Sequence, residues 1–142
     1  MIRVVLAVVL GSALFGVALP SAEHADRDRA TALALDELER VNEAASRLAA
    51  ENDPVDPSET PPATTVTLDP PQPMFVDPGR IRIGADELRW LPPRGRNRTI
   101  EPTAPLHVET PIVVSERARV RLSLVRLGRS TMIRVRLDRT RV

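Results

Sequence analysis

Cysteine, tyrosine and lysine are missing from all 142 residues, and the aromatic side chains come down to Phe15, Phe75 and Trp90. Without cysteine there is no disulfide framework, no thiolate metal site, no cysteine nucleophile and no lipidated cysteine to tie the chain to a membrane. Aromatic side chains bring the largest single contributions to burial, so a core here must rest on Val, Ile and Leu and will be thin. With no lysine, each of the 20 basic side chains is an arginine. Together with abundant Ala, Val, Pro and Asp, this bias points to a GC-rich genome rather than to a particular chemistry.

Signals for catalysis are equally scarce. The sequence holds no G-x-S-x-G and no Gly-rich phosphate loop, the local devices by which a nucleophile or a phosphate is presented. Only two histidines occur, His24 and His107. His107 and Glu109 would share one face of a strand, and His-x-Glu does occur in zinc deaminases, but those enzymes also need a cysteine pair. His107 therefore reads as a surface histidine. The expectation is a protein without catalytic residues, metal ligands or cofactor.

The formal net charge of +1 conceals an asymmetry. Residues 23–59 carry eleven acids and four arginines, whereas residues 117–142 carry nine arginines and one acid, Asp138. Two such ends either attract each other or face different partners.

What the sequence does have begins at its start. Residues 4–19 (VVLAVVLGSALFGVAL) contain no charge, and the next acids are Glu23 and Asp26. Extended to Ala22, the uncharged stretch is about 19 residues, roughly 28 Å as a helix, against a hydrocarbon core of about 30 Å. Residues 1–22 are expected to be a transmembrane anchor in which Val4, Val5, Leu6, Val8, Val9, Leu10, Leu14, Phe15, Val17 and Leu19 face lipid. Arg3 before the segment and the acids after it favour a cytoplasmic N-terminus and an extracellular remainder. A cleaved signal peptide is the alternative, with Gly16 and Ala18, or Pro20 and Ala22, before the cut; the apolar run exceeds the usual length for one.

Residues 23–52 read as an acidic amphipathic helix, rich in Ala, Leu, Glu and Arg and free of Gly and Pro. Ala34, Leu38, Val41, Ala45 and Leu48 recur at spacings of four and three, a narrow seam of the coiled-coil kind. The seam serves either to lay the helix on the chain's own β domain or to pair it with a second copy or a partner helix. The Asn52-Asp53-Pro54 step ends the helix.

Residues 53–78 hold eight of the fourteen prolines and are expected to be an extended, semi-rigid spacer. Within it TTVTL, residues 64–68, is β-favouring and a candidate first strand. Residues 79–142 are expected to fold as a small antiparallel β domain, a sandwich or a curled sheet. Candidate strands cover residues 80–83, 88–91, 98–100, 106–109 and 111–114, the last three cut by Pro102, Pro105 and Pro111, which confine them to edges. The clearest element is terminal. Ala118, Val120, Leu122 and Leu124 alternate with Arg117, Arg119, Arg121 and Ser123, and Ile133, Val135 and Leu137 alternate with Arg134, Arg136 and Asp138. This period of two predicts a hairpin with one apolar and one wet face, turning at residues 127–130.

The basic face of that hairpin, Arg117, Arg119, Arg121, Arg134 and Arg136, reads first as a solvated strand surface that discourages edge pairing. The second reading is contact with anionic lipid headgroups or with acidic protein surface. Nucleic acid is not an expected partner, because neither stacking aromatics nor a reading helix accompanies the arginines. Asn97-Arg98-Thr99 is the one N-glycosylation sequon, in a turn where a glycan would fit.

The opening MIRVVLAVVL…ALP, the Glu23-His24-Ala25 step into an acidic Ala/Leu helix, and the Pro-rich spacer resemble an uncharacterised group of haloarchaeal single-span envelope proteins. The stretch RTIEPTAPLHVETP and the terminal Arg/Leu/Val hairpin carry the same likeness. That group is encoded beside type IV pilus or type II secretion-like ATPase and membrane-platform genes. The resemblance covers most of the chain by layout, and it departs in charge, since haloarchaeal proteins are usually strongly acidic. It implies a non-enzymatic accessory or structural role in the cell envelope, with membrane lipids and pilus or secretion proteins as partners. The helix would then lift the β domain away from the bilayer. The other function open to such a chain is a secreted, signal-cleaved β-domain binding module.

Overall fold

The computed structural model describes residues 2–56 and 59–138, with the side chains of Ile2, Arg3 and Val17 excepted. The fold is α+β. A single helix, α1 (Ile2–Glu51), precedes β1 (Ala63–Leu68), β2 (Arg80–Ile83), β3 (Leu88–Leu91), β4 (Arg98–Ile100), β5 (Leu106–His107), β6 (Ile112–Val114), β7 (Ala118–Leu127) and β8 (Ser130–Asp138).

The apolar segment and the acidic helix are one rod of about 75 Å. Pro20 is the proline within it; lacking an N–H, it leaves the carbonyl one turn back without its ladder partner. At the far end, Asn52 Nδ2 donates to the Leu48 carbonyl at 3.1 Å, which satisfies one acceptor that the last turn orphans. Pro54 prevents further extension.

The two halves of the rod have opposite fates. In the C-terminal half Ala34, Leu38, Val41 and Ala45 are completely buried and Leu48 nearly so. They pack against β1, β7 and β8 on one side and β3 and β4 on the other. Of the two uses foreseen for this seam, the structure takes the intramolecular one. The contact surface of these five residues is covered by the chain's own sheets.

Those sheets are both four-stranded and open, with orders β1-β7-β8-β5 and β4-β3-β2-β6. Their inner faces share one core with the helix, in which Val66, Leu68, Ile81, Ile83, Leu88, Trp90, Leu122, Leu124 and Ile133 are principal members. Neighbouring strands are antiparallel except β5 and β8, which pair in parallel through Leu106↔Ile133 and His107↔Arg134. The small antiparallel β domain expected from the sequence is thus present, with this one parallel pair at an edge. The intervening β6 and β7 separate β5 from β8, which supplies the crossover that a parallel neighbour needs.

The proline-rich segment is not a spacer. Val55 bridges Val125, the Pro62 carbonyl accepts from Leu124 N–H at 2.9 Å, and β1 then pairs along β7 from Ala63↔Ser123 to Leu68↔Ala118. Pro70 and Pro71 are buried. Prolines are tolerated here because they flank the edge strand β1 rather than interrupt its ladder. The β domain thus begins at β1, not at residue 79; Pro57 and Ser58 of the former spacer, and residues 139–142 of the terminal hairpin domain, lie outside the described residues.

This return leg is fastened to α1 at successive levels. The Asp69 N–H donates to Glu37 Oε2 at 3.4 Å. Asp26 Oδ2 accepts from both Met74 N–H at 2.8 Å and Phe75 N–H at 2.7 Å. Further along, Asn42 Oδ1 accepts from Thr103 N–H at 2.8 Å while its Nδ2 donates to Thr103 Oγ1 at 3.1 Å. The β domain therefore lies alongside the helix from about Asp26 onward.

The hairpin follows the alternation with two departures. Gly128 supplies the left-handed conformation (φ 65°) that the two-residue turn requires, and Leu127 pairs with Ser130. Ser123 and Val125 are buried although they lie on the outer face, since the Val55 segment extends the sheet beside them. Leu137 is 41% exposed instead of buried, because it lies beyond the part of the inner face that the core cluster covers.

Two measurements test this core. Leu38 is buried from every side, so Leu38→Ala should lower unfolding stability by about 2–5 kcal/mol in denaturant titration of the detergent-solubilised chain. An unchanged midpoint would mean that the seam does not pack internally. Gly79 abuts the Trp90 ring; a Cβ there would also fall 2.8 Å from the Leu91 carbonyl oxygen. Gly79→Ala should therefore cost about 1–3 kcal/mol by overpacking, whereas Gly11→Ala, with open space around it, should not destabilise the fold.

Candidate functional site

Three surfaces stand out. The first is the N-terminal half of α1. Val4, Val5, Leu6, Val8, Val9, Leu10, Leu14, Phe15 and Leu19 are all exposed, from 53% at Leu19 to 78% at Phe15. Val17, the remaining residue of the expected anchor, has a side chain outside the described set. The helix is long and apolar enough to cross a membrane, by length and composition, and none of its apolar window is covered by the rest of the chain. A signal sequence has the same composition, and the first charged residue after the segment, Glu23, forms an i,i+4 pair with Arg27 at 3.9 Å.

The second surface is the outer face of the β1-β7-β8-β5 sheet. The register sets Arg121 opposite Arg136, Ser123 opposite Arg134 and Arg119 opposite Asp138. On β1, Thr65 and Thr67 stand opposite Arg121 and Arg119, and on β5, His107 stands beside Arg134. Arg117 is exposed in the bend before β7. Four arginines of the expected basic face, Arg119, Arg121, Arg134 and Arg136, therefore occur at one side of the hairpin. Two like charges directly opposite, as in Arg121↔Arg136, are unfavourable unless an anion relieves them. One does: Glu109 Oε1 accepts from Arg136 Nη2 at 3.0 Å.

That hydrogen bond, and then the charge of Arg136, holds the Glu109 carboxyl below its ordinary range; Arg134 and His107 add to the effect. Glu109 is thus a carboxylate at a lower pH than a free one would be. Arg134 carries a buried Nε with no protein acceptor. The acidic stripe of α1 does not neutralise this face, because the seam of α1 packs on the inner side of the sheet while the arginines project from the outer side. Sequence reasoning had left open an attraction between the two charged ends.

The third surface was not foreseen. The loop of residues 73–76 holds Met74 (83% exposed) and Phe75 (52%) against the helix through the double acceptance by Asp26. A cleft of about 390 Å³ lies between this loop, Glu23 and Arg27 of α1, and Pro93 and Arg94 of the β3–β4 connection. The one legible hint was Phe75 itself, a rare aromatic placed in a proline-rich stretch where no core strand would use it.

The remaining candidates are dispersed. Asn97 is exposed in the β3–β4 connection, which suits a sequon. His24 Nε2 lies 3.6 Å from Asp28 on an exposed face of α1, far along the sequence from His107. Among the described residues no three His, Asp or Glu side chains converge in a way that could hold a metal ion. Neither a curated protein nor a solved structure matches the chain. A family described as "Domain of unknown function (DUF7311)" matches residues 1–138, and with so much of its length covered the chain belongs to that family.

Proposed function

We propose that this chain is a non-enzymatic envelope protein, anchored in the membrane by the first half of α1 and displaying its β domain on the opposite side from the N-terminus. One observation carries the reading: a single helix passes from an exposed apolar half into a half that is packed as core. Contiguous exposed hydrocarbon on that scale is foreign to soluble monomers, whereas a helix satisfies its own backbone polar groups and is at home in lipid. Arg3 before the segment and Glu23 and Asp26 after it favour a cytoplasmic N-terminus.

In this role the protein serves as an accessory or structural component, and the resemblance noted above favours a pilus or secretion-type apparatus. The outer arginine face supplies a surface for acidic partners or anionic headgroups, since Arg presents a planar donor fork suited to carboxylate and phosphate. Self-association, if it occurs, must use a surface other than the buried seam.

A second reading, a secreted β-domain module, has its own support. Cleavage before Leu19 or Glu23 would leave Asp26, Glu37, Asn42 and the whole seam in place, so the domain would lose none of its packing. Fractionation of cells separates the two. The chain should sediment with membranes, resist carbonate extraction and dissolve in detergent, and its Arg-rich domain should be cut by trypsin added outside intact cells. Mass spectrometry giving a mature start at Leu19 or Glu23 would favour the secreted module. A full-length product in the soluble cytoplasmic fraction would end both readings.

A further inference from the structure

The loop of residues 73–76 deepens the anchorage proposed above, on which it rests. We infer that Met74 and Phe75 form a second contact with the same bilayer, dipping into its interfacial layer and fixing the β domain against the membrane surface.

The argument begins with level. Ala22 is the last uncharged residue of the apolar stretch, and Asp26 follows four residues later, about 6 Å further along the helix axis. A bilayer about 40–45 Å thick around a hydrocarbon core of about 30 Å leaves a headgroup layer of roughly 5–8 Å on each side. Asp26, which holds Met74 and Phe75 by their backbone N–H groups, therefore falls within that layer. The loop also reaches the level of Glu23, one turn closer to the hydrocarbon, since Met74 and Phe75 line a cleft with Glu23 and Arg27.

Chemistry points the same way. Three aromatic residues occur in the chain. Trp90 is buried in the core, while Phe15 and Phe75 are exposed, and Phe15 belongs to the membrane segment. A single exposed apolar side chain needs no explanation. Two adjacent ones, Met74 and Phe75, are pinned rather than loose, and they sit at the one end of the domain that meets the bilayer. Amphipathic elements that lie on membranes bury apolar side chains about 5–10 Å into the headgroup boundary, a depth these side chains can reach from Asp26.

The connection across the cleft adds basic charge. Arg94 and Arg96 are exposed there around Gly95, whose positive φ of 104° turns the chain sharply. Arginines at this level meet lipid phosphates, an attraction of about 1 kcal/mol each near an anionic surface. Glu23 and Asp77 at the same cleft oppose it, although Glu23 is paired with Arg27. The apolar pair thus carries the contact, and the arginines orient it.

The absence of cysteine makes a clean test available. Met74→Cys, Leu14→Cys and Arg129→Cys are introduced one at a time into the full-length chain, spin-labelled, and reconstituted in phosphatidylcholine vesicles containing a minor fraction of phosphatidylglycerol. Collision with oxygen, which concentrates in lipid, is compared with collision with a water-soluble nickel complex. The oxygen-to-nickel ratio at position 74 should exceed that at position 129, in the far hairpin turn, several-fold. Asp26→Ala in the Met74→Cys background should reduce that ratio and leave position 14 unchanged. A lipid-like ratio at position 14 with a water-like one at position 74 overturns this inference while leaving the anchor intact, and points to a protein partner for the loop. A water-like ratio at position 14 overturns the anchor and this inference together.

Discussion

The contact on which the rest depends is the seam of α1 against two sheets at once. Neither sheet closes, and with three aromatics in the chain and one in the core, neither has enough apolar area to stand alone. Ala34 and Ala45 let strands approach the helix closely, and Leu38, Val41 and Leu48 fill the space between the sheets. A helix that lines the core of a small β domain while continuing as a membrane-length apolar rod makes the two halves of the protein mechanically one.

The polar fastenings extend that contact. Asp26, Glu37 and Asn42 each capture backbone groups of a loop from the β region. The half-buried Asp69 N–H must find an acceptor away from water, whereas the exposed Met74, Phe75 and Thr103 bonds hold their loops to the helix. Glu37 shows the pattern most fully: it is nearly buried, it is paired with Arg40 at 3.1 Å, and it receives the Asp69 N–H. The carboxylates that gave the helix its acidic character thus divide into solvated ones and a few that hold the return leg in place.

Much of this fold was legible in the residues. Strands β2, β3 and β4 and the terminal hairpin follow from alternation and turn residues, since a period of two admits few other readings. The seam also declared itself, but not what it packs on: apolar residues at spacings of four and three look alike against a sheet or another helix. The proline-rich stretch misled for a related reason. Proline density reports local stiffness, whereas the edge position of β1 beside β7 depends on pairing with residues far along the chain, from Leu68↔Ala118 to Ala63↔Ser123. The burial of Val125 and the clamp by Asp26 are likewise long-range, and nothing local to either residue encodes them. For the functional surfaces, the apolar segment and the arginine face were plain from composition, while the Met74-Phe75 loop became visible only once Asp26 placed it beside the helix.

Pro20 has one further consequence. It is the point where the ladder of α1 is interrupted, and it lies near the edge of the apolar segment, before the first fastening at Asp26. Beyond it the helix and the sheets move as a lever. From Asp26 to Glu51 the arm is about 38 Å long, so a change of about 20° in helix tilt, a common inclination for membrane spans, would swing the distal hairpin by about 13 Å. In the anchored arrangement proposed above, changes in bilayer thickness would be converted into lateral displacement of the arginine face.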